Sequence, residues 1–354
     1  MISENEALQA LRGVMDPELH RSIVDLGMVK DLTISDDGKV AFTLALTIQG
    51  CPMRESMAKN ARAALLALPG VNEVEVTFGV MDPEQRKAIF GAQAGPLPRL
   101  NGFNRIGKVI AVMSGKGGVG KSSVTALLAA ELARQGYKVG VLDADITGPS
   151  IPKLFGLPPG GLRGGEAGML LAVAPLGIRV VSTNLMVTKE DTAVIWRGPV
   201  ISATIRQFWE QTLWGRLDVL LVDLPPGTGD ATLTVVQSLP LDGVLLVTSP
   251  QQLAAMVVRK AVRMLQQMRI PILGVVENMS YFTCPDTGHR HEIFGPSHAG
   301  EIAEAAGVDV IARLPINPEI ATLGDAGKAA EVRLETLAEL AGGLLERVPE
   351  PAAA

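Results

Sequence analysis

Residues 109–135 read VIAVMSGKGGVGKSSVTALLAAELARQ. Positions 109–113 are apolar throughout, which suits a strand covered on both faces. Positions 122–135 carry apolar side chains at helical spacing and predict a helix. Between them Gly115, Lys116, Gly117, Gly118, Val119, Gly120, Lys121 and Ser122 satisfy G-x-x-x-x-G-K-[ST], in the strand–loop–helix context that gives such a match its meaning. Glycines let successive backbone N–H groups converge on one anion, and the helix N-terminus adds partial positive charge. Lys121 is placed to reach the β- and γ-phosphates of a nucleotide, and the Ser122 hydroxyl to coordinate Mg²⁺. The bland alternative, a glycine-rich turn with a surface lysine, does not explain the flanking elements.

Outward from this loop, short apolar runs recur at 139–142, 178–182, 219–222, 244–248, 272–276 and 308–312, with helical patterns between them, for example 253–268. Most runs are continuous rather than alternating. The expectation is a doubly wound, mostly parallel α/β domain over 108–348. Ligands of such sheets bind beyond the carboxyl ends of the strands. Asp143 and Asp145 follow the run ending at Leu142, and Asp223 follows Val222. Acidic groups there hold hydrated Mg²⁺ or orient a water. Taken singly, each aspartate also reads as a loop residue or helix cap.

Ahead of this domain, residues 91–107 (GAQAGPLPRLNGFNRIG) lack periodicity and read as a linker. Residues 1–90 read as a small α+β domain: helix 5–14, strand 28–34, strand 40–48, helix 53–68 and strand 71–78, the first two strands forming a hairpin through Asp37-Gly38. Residues 349–354 read as a disordered tail.

Composition narrows the function classes. The chain has 354 residues, 47% hydrophobic and 19% charged, which excludes global disorder. Its net charge of −5 argues against a general nucleic-acid binder. Two cysteines, Cys51 and Cys284, exclude a disulfide-rich secreted fold. No apolar run approaches ~18 residues, and the start MISENE has no hydrophobic leader. A cytoplasmic protein without a membrane span is expected.

Lys116 is a second lysine inside the phosphate loop. Here the chain resembles the deviant-Walker-A ATPases, among them MinD, ParA and the nitrogenase iron protein. The resemblance implies an ATP-sandwich homodimer in which Lys116 crosses to the partner's nucleotide. It also implies nucleotide binding by 115–123, Ser123 included, and catalytic roles for Lys116, Lys121 and Asp145. Asp145 would position the attacking water. Asp223 would be the acid on the Mg²⁺ side, Gly227 would offer its N–H to the γ-phosphate, and Asn278 would contact adenine.

Within that group, SGKGGVGKSS (114–123), DADITGPS (143–150), DLPPGTGD (223–230), ENMSYF (277–282), Cys284 and LPINPEI (314–320) are similar to the Mrp/ApbC family of iron–sulfur cluster carriers. Asp16-Pro17-Glu18, Asp25-Leu26-Gly27, Gly50-Cys51-Pro52 and MDPEQR (81–86) are similar to the small domain at the front of bacterial Mrp proteins. The resemblance implies a slow ATPase that takes clusters from a scaffold to recipient apo-proteins.

In that family a Cys-x-x-Cys pair usually follows Ser-Tyr-Phe, so that a dimer gives four thiolates to one [4Fe–4S] cluster. This chain reads Cys284-Pro285-Asp286-Thr287-Gly288, with threonine at the second position. His289 and His291 follow, and histidine replaces cysteine on iron in some clusters; a polar loop is the other, plainer reading of them. The family's glycine run after Phe294-Gly295 is here Pro296-Ser297-His298. Cys51 sits between a strand and a helix with Pro52 at the first helical position. A thiol there has a lowered pKa and suits a role in receiving or delivering the cluster. A buried, inert cysteine is the other reading.

Two rival functions belong to other classes. A MinD/ParA-type switch without a cluster would use a basic membrane helix or a DNA-binding patch. The last helical stretch, 330–348, sets Leu334, Leu337, Leu340, Leu344 and Leu345 against Glu331, Glu335, Glu339, Glu346, Arg333 and Arg347. Anionic lipid would repel it, so it is expected to lie on the domain. The other rival is a phosphate-loop kinase or ligase whose front domain binds a metabolite.

Overall fold

The computed structural model describes residues 2–16, 21–35, 37–46, 54–81, 100–146, 148–165, 168–186 and 198–349. The chain divides into two units, Met1–Pro96 and Leu97–Ala354. Cys51, Pro52 and the stretches 82–99 and 350–354 lie outside the described residues.

The first unit opens with α1 (Glu4–Leu11), capped by Ser3, whose hydroxyl accepts from Glu6 N–H while Ser3 N–H donates back to the Glu6 carboxylate at 2.8 Å. Then come β1 (Val29–Ile34), β2 (Lys39–Leu46), α2 (Arg54–Leu66) and β3 (Glu73–Val80). β1 and β2 pair antiparallel, and β2 and β3 parallel. The hairpin turns at Gly38, whose φ is +83°. A Cβ there would lie 2.3 Å from the Gly70 carbonyl oxygen, so only glycine lets the two turns meet. Met57, Ala58, Ala61 and Leu65 of α2 are buried with Val40, Phe42 and Leu44 of β2. That is one helical stripe against one strand face.

The second unit runs β4 (Arg105–Ser114), α3 (Lys121–Arg134), β5 (Val139–Asp143) and the short α4 (Ile151–Leu154). The small strands β6 (Arg163–Gly165), β7 (Gly168–Leu170) and β8 (Ala172–Val173) follow, then β9 (Arg179–Val181). Next are α5 (Gly198–Gln211), β10 (Arg216–Asp223), α6 (Asp230–Ser238), β11 (Gly243–Thr248) and α7 (Gln252–Gln267). The chain closes with β12 (Ile272–Thr283), β13 (Arg290–His291), α8 (Ala299–Ala306), β14 (Val310–Pro315), α9 (Pro318–Asp325) and α10 (Glu335–Leu344). The main sheet has the order β13-β12-β11-β4-β10-β5-β9-β8, with β14 also on β12. Among the described residues of this sheet, only the β12–β13 and β8–β9 pairs are antiparallel.

The continuous apolar runs follow from this layering. Along β4, Ile110 and Val112 enter one core while Val109, Ala111 and Met113 enter the other. Successive residues point to opposite faces, so a strand covered on both faces needs apolar side chains at every position. The first core holds Val124, Leu127, Leu128 and Leu132 of α3 with Leu337, Leu340, Ala341 and Leu344 of α10. The second holds Val258, Ala261, Val262 and Leu265 of α7, spaced as one helical stripe.

Three of the differences from the sequence reading have a clear physical cause. β4 begins at Arg105, inside the segment read as linker, because Arg105 and Ile106 register with Arg216 and Leu217 of β10. β12 runs seven residues beyond Val276, because it pairs in turn with β11, β14 and β13. The stretch 330–348 is not one helix. A 3-10 turn at Ala329–Glu331 precedes α10 and another, Leu345–Arg347, follows it. The break is held by Arg134, which donates to the carbonyls of Ala330 at 3.1 Å and Val332 at 2.9 Å. The leucines at 337, 340 and 344 are buried in the core, which commits that face to the domain. Among the described residues, no helix is long and apolar enough to cross a membrane.

Candidate functional site: a phosphate loop and a distant thiol

The sheet order puts β4 between β11 and β10, so the loop after β4 opens above the centre of the sheet. Gly118 and Gly120 have φ of +82° and +79°. Gly120 is the N-cap of α3, and a Cβ on it would lie 2.3 Å from Asn278 Nδ2. Gly115 is equally constrained, since a Cβ there would lie 2.7 Å from the Val258 backbone nitrogen of α7. Gly117 and Gly118 are exposed, Val119 is buried in the core, and Ser123 lies in the first turn of α3.

Below the loop, three side chains of α3 converge on Asp223 at the end of β10. Lys121 Nζ is 2.7 Å from Asp223 Oδ1, and both side chains are buried. Ser122 donates to Asp223 Oδ2 at 2.6 Å, and Thr125 to Oδ1 at 2.8 Å. Lys121 Nζ also donates to Ser122 Oγ at 3.2 Å. The buried carboxylate is thus satisfied by one cation and two hydroxyls. Ser122 and Asp223 supply two hard oxygen donors side by side under the loop, the donor set that Mg²⁺ takes. The residues present fit that ion.

Asp143 ends β5 in register with Asp223. Its Oδ2 accepts from Ile151 N–H at 3.2 Å and from Ser182 at 3.1 Å, while Oδ1 has no hydrogen-bond partner among the described residues. Burial holds its carboxyl well above the ordinary range. The neighbouring Asp223 adds to this, and Lys121 opposes it. Asp145 is buried just beyond the strand and accepts from Gly148 N–H at 3.2 Å.

Three further expected groups have partners within the chain. The Gly227 N–H, expected at the γ-phosphate, donates to the Ser114 carbonyl at 2.9 Å, because the loops after β4 and β10 meet side by side. Lys116 turns to Gln251, whose Oε1 accepts from its Nζ at 2.5 Å. Asn278 is buried behind the loop, and its Nδ2 donates to the Val119 carbonyl at 2.9 Å. Thr125 and Gln251 are absent from the sequence reading. A helical threonine and a loop glutamine carry no local signal of partners 98 and 135 residues away.

Beyond Asn278, β12 carries Glu277, which is fully buried. Ser280 donates to its Oε2 at 2.6 Å and Ser297 to its Oε1 at 2.7 Å. The strand ends one residue before Cys284. There Cys284 N–H donates to the His289 carbonyl and Gly288 N–H to the Cys284 carbonyl, both at 2.9 Å, closing a tight turn. The Thr287 hydroxyl, then the N–H groups of Thr287 and Asp286, donate to the Cys284 sulfur and hold its thiol below the ordinary range. Threonine at the second-cysteine position therefore serves the first cysteine as a donor. His289 and His291 are exposed, and no group of three or more His, Cys, Asp or Glu able to hold a metal occurs among the described residues.

A test follows directly. Thr287→Val removes the hydroxyl donor and returns the thiol toward its ordinary pKa, so less thiolate is present at neutral pH. Iodoacetamide labelling of Cys284 at pH 7.5 is expected to slow severalfold, while Thr287→Ser keeps the wild-type rate.

A central parallel sheet, a phosphate loop above its middle strand, and a lysine–serine–aspartate cluster beneath define a P-loop NTPase. Residues 105–345 match the NUBPL iron-transfer P-loop NTPases, and residues 4–78 the iron–sulfur cluster assembly proteins. The chain belongs to the iron–sulfur cluster carrier family of P-loop NTPases. The iron–sulfur cluster carrier protein of Synechocystis sp. is 40% identical over 331 residues, 92% of this chain and 91% of that one. The chloroplastic Fe–S cluster assembly factor HCF101 of Arabidopsis thaliana is 39% identical over 341 residues, 96% of this chain and 62% of that one. A nucleotide-binding protein of Archaeoglobus fulgidus, solved in complex with ADP, is 44% identical with a TM-score of 0.59, over 70% of this chain and 93% of that one. The cell division ATPase MinD of Pyrococcus furiosus, 22% identical with a TM-score of 0.50 over 68% of this chain and 99% of that one, shares the fold.

Proposed function

We propose that this chain is a slow, cytoplasmic ATPase that carries an iron–sulfur cluster, as cargo, to recipient apo-proteins. One observation carries the reading: β12 joins the two halves of the chemistry. Its Asn278 holds the Val119 carbonyl of the phosphate loop, and its end delivers Cys284. Any movement of the loop on nucleotide binding is thereby applied to the strand that leads to the thiol.

At the loop, residues 115–123 bind the phosphates, with Lys121 on the β- and γ-phosphates and Asn278 beside the adenine. Ser122 and Asp223 hold Mg²⁺, which when bound neutralises charge on the phosphates. Asp145 orients a water whose oxygen attacks the γ-phosphorus as the bond to the bridging oxygen breaks. Gly227 exchanges the Ser114 carbonyl for a γ-phosphate oxygen, and Lys116 leaves Gln251 for the nucleotide of a second copy in a face-to-face homodimer. Turnover is slow because a switch needs a long-lived closed state.

The cargo site takes one soft thiolate from each chain, Cys284. Cys51 of the front domain takes part in receipt or delivery. A second reading, a dimeric switch that holds no cluster, is favoured by one observation: Thr287 stands where a second thiolate is needed. Anaerobic reconstitution with iron and sulfide separates the two, read by iron counting and Mössbauer spectroscopy on wild type, Cys284→Ala and Cys51→Ala. The carrier reading expects about one cluster per dimer, abolished in Cys284→Ala. Wild-type protein that retains no cluster overturns it in favour of the switch.

A further inference from the structure

The hairpin that presents Cys284 also walls a cavity of about 670 Å³, a volume in the range of ligand sites. Arg290 and Arg313 line it, with Glu292 as the acidic residue among the lining. Arg290 is stacked on the Tyr281 ring, its guanidinium carbon 4.4 Å from the centroid. That contact fixes the guanidinium plane and leaves its edge donors unused. No hydrogen bond or ion pair engages the Arg290 side chain among the described residues. Arg313 is half exposed and ion-paired through Nε to the buried Glu277 at 3.8 Å, which leaves its terminal nitrogens for the cavity. A guanidinium held as Arg290 is, with its fork free, recognises planar carboxylates, and Arg313 adds positive charge beside it.

The rest of the lining narrows the ligand further. Ser280 and Ser297 both donate their hydroxyl hydrogens to Glu277. What they have left for the cavity is lone pairs, one of which on Ser297 already accepts from Ala299 N–H at 3.3 Å, and the rest need donors. Thr336 also lines the cavity, and its buried hydroxyl has no hydrogen-bond partner among the described residues. A small inorganic anion answers the arginines but brings no donor, as sulfate, or one or two O–H groups on a single centre, as hydrogen phosphate. A peptide with acidic side chains supplies both carboxylate oxygens and backbone donors.

We propose that this cavity binds an acidic peptide segment of a partner protein and so holds that partner beside Cys284. The neighbourhood is fixed by register: Arg290 pairs with Thr283, and Cys284 N–H donates to the His289 carbonyl. The identity of the partner as a cluster recipient rests on the carrier reading; the recognition chemistry does not. It places a carboxylate-reading site on the surface that offers the cargo, so that acidic recipients dock where the thiol is.

The experiment is fluorescence anisotropy with the full-length protein and a fluorescein-labelled peptide of alternating glutamate and alanine. A lysine–alanine peptide and free citrate serve as competitors. No iron or sulfide is added. Saturable binding is expected, weakened about tenfold or more in Arg290→Gln, less in Arg290→Lys, and untouched by the lysine peptide. Arg290 is exposed and lies outside both cores, so circular dichroism and thermal melting should match wild type. Equal binding by Arg290→Gln, no saturable binding, or displacement by citrate at concentrations where an unlabelled acidic peptide fails would each overturn the proposal. Failed cluster reconstitution with intact peptide binding removes the carrier reading alone; the converse removes this one alone.

Discussion

Lys121→Ala is expected to lose ATP turnover by at least about a hundredfold and also to destabilise the chain in the absence of nucleotide. The two effects have separate origins. Turnover falls because, in the proposed mechanism, the ammonium is the charge that meets the β- and γ-phosphates, and removing one fixed transition-state donor costs about 10²–10³ in rate. Stability falls because Lys121 Nζ sits 2.7 Å from Asp223 Oδ1, inside the protein. Alanine leaves a buried carboxylate with no cation, and removing one partner of a buried pair costs about 3–5 kcal/mol. The Ser122 and Thr125 hydroxyls remain on that carboxylate, which places the expected loss at the lower end. Denaturant melts of Lys121→Ala, Asp223→Asn and the double variant separate the terms. The double variant should recover much of the stability lost in Lys121→Ala, because no buried charge is then unpaired. It should recover none of the turnover. If Lys121→Ala melts like wild type, the buried pair contributes nothing and the account of Asp223 is wrong.

The phosphate loop was legible because its signal is local. Gly118 and Gly120 adopt positive φ within a few residues of Lys121, and the apolar runs at 109–113, 219–222 and 244–248 record burial on both faces. β12 was read short for the opposite reason. Glu277, Asn278 and Ser280 are polar, so the apolar run stops at Val276, yet all three are buried. Their burial is made acceptable by Ser297 and by the Val119 carbonyl, partners no local window contains. The same holds for Lys116. Its presence in the loop was readable, whereas its contact with Gln251 depends on β11 lying beside β4.

Cys284 teaches a related lesson about substitution. Read against a Cys-x-x-Cys pattern, Thr287 is a missing ligand. In the folded turn its hydroxyl is a hydrogen-bond donor to the remaining sulfur, the strongest of the influences that favour the thiolate. One residue thus lowers the number of thiolates and raises the readiness of the one that is left. Retention of a cluster then depends on what completes its coordination, and iron counting reads that directly.

Lys116→Ala should leave nucleotide binding and thermal stability close to wild type, yet lose turnover on the order of a thousandfold. The side chain lies at the rim, bonded to Gln251, and makes no contact with Asp223 or Ser122. Truncating a half-buried surface lysine away from any buried charge changes stability by only about 0.5 kcal/mol. ADP affinity by calorimetry should therefore hold, in contrast to Lys121→Ala. The loss in turnover follows if Lys116 supplies transition-state charge to a second copy, the role an arginine supplied in trans plays elsewhere, worth about 10³–10⁵. Mixing gives the sharper readout. Lys116→Ala brings an intact loop without its lysine, and Lys121→Ala brings Lys116 without a competent loop. A mixed dimer has one functional composite site, so adding one inactive variant to the other should restore measurable turnover. Gln251→Ala, which only frees Lys116, should keep turnover at or above the wild-type rate. If Lys116→Ala hydrolyses ATP normally, or the mixture stays inactive while the variants still associate, the lysine acts on its own chain and the face-to-face arrangement is wrong.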